Sequence, residues 1–234
     1  MCGRYLITSP PEAVRAFAAY ADQPNFPPRH NIAPTQPVPI VRMEHGRRRF
    51  ALVRWGLVPS WAKEIGASPL INARADTLFD KPSFRQAARR RRCLFPADGF
   101  YEWRRDGRSR KPFLIRRRDR GLLAMAGIWE HWVGADGSEL ESAAIVTTDA
   151  NATLAPIHHR MPVILDTRDF DAWLTTAETE APGLARLLGP APDDVLDAVA
   201  VSERVNKVAN DDAALLDPAA EDEAPADGPQ MKLL

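Results

Sequence analysis

At 234 residues, with 45% hydrophobic side chains, the chain is long enough to bury one sizeable core or two small ones. No stretch approaches the roughly 18 apolar residues of a membrane span, and the start Met1-Cys2-Gly3-Arg4-Tyr5 is charged at once, so neither a transmembrane segment nor a secretory signal is expected. The net charge of zero hides an asymmetry: residues 85–120 hold fourteen Lys/Arg against four Asp/Glu, and residues 211–227 hold seven acids and no base.

The basic stretch suggests a polyanion-binding surface, and the acidic one a solvated tail over 217–234 that is expected to be disordered. Only two cysteines occur, Cys2 and Cys93, and the five histidines show no metal-ligand spacing with them. A disulfide framework, a structural metal and a cofactor are therefore not expected, and the compartment suggested is a reducing, cytoplasmic one.

In chain order, residues 2–8 alternate as a strand. Ser9-Pro10-Pro11-Glu12 has the form of a capping box, with Val14, Phe17 and Ala18 at helical spacing behind it. The proline-rich passage from Pro24 to Pro39 predicts an extended, ordered loop or edge structure. Pro39–Met43 and Arg49–Leu57 read as strands around Glu44-His45-Gly46. A helix is predicted from Asp80 to the Arg89–Arg92 run, then strands at Cys93–Trp103, Pro112–Arg117 and Leu122–Trp132. Asp106-Gly107 and Ala135-Asp136-Gly137 mark hairpins, the second leading into Ser142–Thr148. Asp149 is expected to cap a short helix, ahead of a strand at Met161–Leu165. Helical segments at Asp169–Leu174 and Gly183–Leu188 and a last strand at Val195–Val201 complete the pattern. Many short strands with few helices predict an α+β fold: a single domain over 2–216, built on a largely antiparallel, barrel-like β-sheet with short peripheral helices.

Cys2 is the chemically unusual residue. Once Met1 is removed it carries an α-amine, of pKa about 8, beside a thiol of about 8.5. Such a 1,2-aminothiol condenses with an aldehyde, first as an imine and then as a five-membered thiazolidine; alternatively the thiolate alone serves acyl transfer. The plain alternative is a small residue at the start of a strand. Asn72-Ala73-Arg74 puts an amide and a guanidinium on one side of a strand-like segment. Gly99-Phe100-Tyr101-Glu102-Trp103 sets a lone carboxylate among aromatics, a setting suited to general-acid work. His158-His159-Arg160-Met161-Pro162 joins imidazoles to a phosphate-binding guanidinium. Trp55 and Trp61 supply indoles able to stack on bases. Buried aromatics are otherwise core, and a histidine pair is otherwise surface.

These blocks, with Asn31-Ile32-Ala33-Pro34-Thr35 and Val201-Ser202…Val205-Asn206, resemble in order the SRAP family: SOS response-associated peptidases, also called abasic site processing proteins. The resemblance runs from residue 2 to about 210. It implies a mixed α/β domain with a basic groove for single-stranded DNA, and a crosslink between Cys2 and the ring-opened sugar of an abasic site. By that likeness Cys2, Asn72, Glu102 and His158 are catalytic. Asn72 orients the N-terminus, Glu102 shuttles protons and His158 acts as general acid/base. Arg4, Arg74 and Arg160 bind phosphates, with Trp55 and Trp61 at the DNA. His159 stands where an acid is common, and Asp76 where glutamate is frequent, which puts a supporting hydrogen bond in doubt. The resemblance also implies an enzyme with lyase-type chemistry and peptidase-like self-removal of Met1. Its expected partner is single-stranded DNA containing abasic sites, with no membrane partner; a monomer is expected, cytoplasmic and nucleoid-associated when bound to DNA. Three other classes are compatible with parts of the pattern: an N-terminal-nucleophile amidohydrolase of the glutamine amidotransferase kind, a non-catalytic single-strand-binding module, and a Cys–His protease.

Overall fold

The computed structural model describes residues 2–107, 109–175 and 181–219. Twelve strands and four short helices are defined there: β1 (Tyr5–Ile7), α1 (Pro11–Ala18), β2 (Arg29–Ile32), β3 (Pro37–Glu44), β4 (Arg47–Trp55), β5 (Asn72–Arg74), α2 (Arg85–Arg90), β6 (Arg92–Ala97), β7 (Gly99–Asp106), β8 (Ser109–Arg117), β9 (Leu123–Val133), β10 (Glu139–Asp149), β11 (Arg160–Pro162), α3 (Phe170–Leu174), α4 (Ala181–Leu184) and β12 (Leu196–Ala200). None of the described helices is long and apolar enough to cross a membrane.

Five strands close on themselves in the order β10-β4-β3-β6-β9, with β9 returning to β10. Only the β10–β4 step is parallel; the others are antiparallel, so the sheet is barrel-like as its many short strands suggest. β10 outruns β9, and its far end picks up β5 in parallel and β11 antiparallel (Ile145↔Asn72, Asp149↔Arg160). A second antiparallel sheet, β12-β8-β7-β1-β2, lies beside the barrel. The main core is filled by Val38, Ile40, Leu94, Phe95, Met125, Ile128 and Ile145, all fully buried. Burying such aliphatic and aromatic side chains gives about 1.5–3 kcal/mol each before entropy is charged.

Several local expectations are corrected. The single strand expected over Cys93–Trp103 is two strands in different sheets, broken at Asp98. That carboxylate accepts from the backbone N–H groups of Thr8 and Ser9 at 2.6 and 2.9 Å and from Ser9 Oγ at 2.6 Å. The same interaction withdraws Ser9 from capping, and the N-cap of α1 is Pro10. At Gly99 any Cβ would sit 2.6 Å from the Ile115 carbonyl oxygen, so the corner requires glycine. The proline-rich passage, in contrast, agrees with the expected extended loop or edge structure: it contains β2, at the edge of the second sheet, held because Asp211 accepts from the N–H groups of His30 and Asn31 at 2.5 and 2.9 Å. No helix follows Asp149: the residues after Asn151 form turns, Asn151 Oδ1 accepts from Leu154 N, and the Asp149 carboxylate pairs with Arg160 instead. The chain stays docked through Ala219, whose N–H donates to the Ala200 carbonyl at 2.8 Å. Most of the acidic tail, residues 220–234, lies outside the described residues.

Part of the basic run is structural. Arg92, 1% exposed, donates to the carbonyls of Trp173 and Thr175 at the end of α3 and to Ala88 in α2, satisfying helix-terminal acceptors that would otherwise be orphaned. Arg91 pairs with Glu130. The exposed bases of α2 pack alongside the barrel, whereas Arg104, Arg105, Arg110 and Lys111 lie on the β7–β8 hairpin, so the run is divided between two places. Gly127 allows Phe95 and Cys93 to pack over β9: a Cβ there would collide with the Phe95 ring and approach Cys93 Sγ to 2.9 Å. Gly127→Ala should therefore cost about 1–3 kcal/mol by overpacking. Thermal unfolding reads this directly, and an unchanged melting temperature would contradict the packing described.

Candidate active site

The N-terminal segment threads the seam between the two sheets. Cys2 is fully buried, and its carbonyl accepts a 2.8 Å hydrogen bond from Asn72 Nδ2. Asn72 can do this because it opens β5, which β10 holds in register, and because Trp55 Nε1 donates to the Ile71 carbonyl at 3.1 Å just ahead of it. The other amide atom, Asn72 Oδ1, is buried without a hydrogen-bond partner among the described residues. A buried acceptor left unpaired costs about 1–3 kcal/mol, so it marks a place where a donor is expected to arrive.

Arg4 fixes the next turn of chain. Its Nη1 donates to Asn31 Oδ1 and to the Val205 carbonyl, both at 2.8 Å, and the Arg4 carbonyl accepts from Tyr101 N at 2.9 Å. Asn31, fully buried, directs its own amide toward the carbonyls of Val205, Lys207 and Asn210. The segment around residues 205–210 is thereby clamped over the N-terminal strand. These bonds bring Cys2 beside Glu102, on β7 and 4% exposed, with Glu102 Oε1 accepting from Trp103 N at 3.2 Å.

The electrostatics tie Cys2, Glu102 and His158 to one locus. Burial pushes the Cys2 thiol far above its usual range, and the nearby Glu102 charge pushes it further. Burial pulls His158 below the ordinary imidazole value of 6.5, against a smaller upward pull from Glu102. His158 Nδ1 lies 3.0 Å from the Arg160 backbone nitrogen and 3.2 Å from the Arg160 carbonyl oxygen, so the backbone at Arg160 fixes the orientation of the ring. Its ring stacks on His159 at 4.4 Å.

Of the remaining expected residues, Arg74 is exposed at the end of β5, and Trp61 is 62% exposed beside an apolar cavity of about 220 Å³ lined by Leu57, Pro59, Ile65 and Pro69. Two expectations change. Trp55 cannot stack on a base: it is fully buried, edge-on to Tyr5 at 5.3 Å. Arg160 is only 5% exposed, and its guanidinium is taken up by Asp149 at 3.0 Å and by the Thr147 carbonyl at 2.6 Å, which suits it to anchoring the strand behind His158. Residues without an assigned role in the sequence reading also gather here. Trp103 donates its Nε1 to Asn206 Oδ1 at 2.8 Å, and the Arg4 guanidinium lies 5.8 Å from the Trp103 ring. With Gly3 and Arg110 they line a cavity of about 370 Å³ against the N-terminal strand. Their only signal in the sequence was membership of the Gly-Phe-Tyr-Glu-Trp and Val-Asn blocks. Among the described residues no group of three or more His, Cys, Asp or Glu is arranged to hold a metal.

A buried cysteine at position 2 held by an amide, with a carboxylate and an imidazole around it on a barrel-like α+β domain, defines a class of protein that likeness to known proteins makes specific. The SOS response associated peptidase (SRAP) family model matches residues 1–208, and the chain belongs to that family. It is 37% identical over 223 residues to abasic site processing protein YoqW of Bacillus subtilis (93% of this chain, 99% of the relative), and 38% identical over 229 residues to YoaM of the same organism (93% and 98%). Abasic site processing protein HMCES of Gallus gallus is 32% identical over 263 residues, covering 93% of this chain and 78% of the relative. A crystal structure of a Bacteroides thetaiotaomicron protein superposes with a TM-score of 0.81 at 28% identity, covering 94% of this chain and all of that one.

The His158 geometry has a pH consequence. Because the folded imidazole is depressed below 6.5, the folded state binds fewer protons than the unfolded one. The stabilising contribution is present above about pH 6.5 and declines as pH falls through the folded value. An NMR titration should place the His158 midpoint below 6.5; a midpoint at or above it would contradict the burial described.

Proposed function

We propose that this chain captures abasic sites in single-stranded DNA as a covalent thiazolidine on Cys2, after hydrolytic removal of Met1. A role in processing abasic DNA damage is supported by the family and by the names its relatives carry. The observation that carries the finer chemistry is the setting of Cys2: a buried thiol, a carbonyl held by Asn72, and an Asn72 oxygen without a partner among the described residues.

With Met1 attached, the nitrogen of Cys2 is an amide and cannot form an imine. Hydrolysis of the Met1–Cys2 bond consumes one water and releases methionine and an α-amine, whose N–H suits the free Asn72 oxygen. The ring-opened sugar of an abasic site presents an aldehyde. The amine adds to that carbon, one water leaves, and an imine results. The thiol then adds across the C=N bond; sulfur binds carbon and its proton ends on nitrogen. Burial keeps the thiol protonated, so the amine is the first nucleophile and the sulfur closes the ring afterwards. Glu102 is the group to move protons between nitrogen, sulfur and the departing water. Neutral His158 is the donor to the sugar oxygen.

The cavity beside Gly3 and Arg4 offers the Trp103 face to a neighbouring base and Arg110 to a phosphate, and Arg74, exposed at the end of β5, is available to another phosphate. Trp61 offers a second stacking surface further along. Two free cysteines fit a reducing compartment.

The test is denaturing electrophoresis after mixing with single-stranded DNA that contains one abasic site. Wild type should give an adduct stable to heat and detergent, and Cys2→Ser should give none while retaining weak, salt-sensitive binding. Equal, stable crosslinking by Cys2→Ser would overturn the thiazolidine mechanism.

A further inference from the structure

We infer that Asp76 is a positioning residue that presents the Arg74 guanidinium end-on to a DNA phosphate next to the reacting sugar, an inference that rests on the DNA-capture function proposed above. Arg74 ends β5 and is followed directly by a single 3-10 turn, Ala75–Thr77. That turn brings the Asp76 carboxylate back onto the side chain two residues before it. Asp76 Oδ1 accepts from Arg74 Nε at 3.1 Å and Oδ2 from Nη2 at 2.6 Å, a bidentate pair.

A guanidinium has five N–H bonds. Asp76 occupies the side edge, Nε with one hydrogen of Nη2. The end edge, one hydrogen of Nη1 and the other of Nη2, has no acceptor among the described residues. This edge has the fork geometry that matches two phosphate oxygens. Its place in the site follows from the strand. Asn72 and Arg74 are two residues apart in β5, hence on one face, and about 7 Å apart along the strand.

Asp76 is also one of two acidic members of a row of alternating charge. Arg74 lies beside Thr147 in the β5–β10 register, Asp149 is two residues further along β10, and Asp149 pairs with Arg160. Two opposite effects of Asp76 on DNA must be weighed: it repels a phosphate, and it removes the freedom of a long side chain. The side chains of Arg74 and Asp76 are 52% and 50% exposed, so water and salt weaken the repulsion, with a screening length of about 8 Å at physiological ionic strength. The geometric restriction is not screened, and it is already in place before DNA arrives. Ordering therefore prevails. The aspartate, although shorter than glutamate, makes a complete two-bond contact.

The experiment measures binding of full-length protein to single-stranded DNA lacking an abasic site, by fluorescence anisotropy, together with the rate of adduct formation on DNA containing one. Asp76→Asn keeps the shape and one acceptor but loses the charge and the second acceptor. It should weaken binding by about two- to tenfold with an unchanged melting temperature, and Asp76→Glu should recover most of the loss. In an Arg74→Ala background Asp76→Asn should have no further effect. Tighter or unchanged binding by Asp76→Asn would show the carboxylate competing with phosphate and overturn the inference, as would an equal loss in the Arg74→Ala background. If wild type itself neither binds nor crosslinks, the DNA-capture function fails and this inference with it.

Discussion

The site depends on one hydrogen bond, from Asn72 Nδ2 to the carbonyl of Cys2. A chain's second residue is ordinarily a frayed end, yet here it is as buried as the barrel core. Holding it requires partners from distant parts of the chain: β5 through Asn72, β2 through Asn31, β7 through Tyr101, and the segment near residue 205 through Arg4. The two sheets exist in relation to this strand, because β1 joins β2 and β7 on one side while Tyr5 packs on Trp55 and Phe95 on the other. The long reach of these contacts explains why the family's motifs are scattered along the whole domain.

Burial has a chemical effect as well as a structural one. It raises the thiol and lowers the imidazole, so both groups are neutral near pH 7, which leaves the Glu102 carboxylate beside them as the group suited to accept a proton. A neutral thiol is a poor freestanding nucleophile but an adequate partner for an imine formed next to it. In the covalent mechanism proposed, removal of Met1 is therefore the step that turns a packed strand end into a reagent.

Much of the fold could be read from alternation and turn residues: the β3–β4 hairpin, the Asp106-Gly107 turn, β9 and β10, and the barrel-like class itself. The errors share a cause, which is long-range capture of a side chain whose local preference pointed elsewhere. Ser9 is a good N-cap by sequence, but Asp98 takes its hydroxyl. Asp149 is a plausible helix cap, but Arg160 takes its carboxylate. Trp55 sits in a motif and looks available for stacking, yet closure of the barrel puts it inside, where it supports Ile71 and so Asn72. Cys2, Asn72, Glu102 and His158 were legible as candidates because they lie in the blocks that resemble the SRAP family, and the same likeness drew attention to Asp76 without fixing its contact. Trp103 and Asn206 had no assigned role, since an indole and an amide there become informative only once their partners are known.

The most direct test of the account is intact-mass spectrometry of the purified protein before and after incubation with abasic single-stranded DNA under denaturing conditions. The starting mass should lack methionine and, afterwards, a single oligonucleotide less one water should be added, on the processed chain alone. A stable adduct of the same mass on chains that still carry Met1 would contradict it.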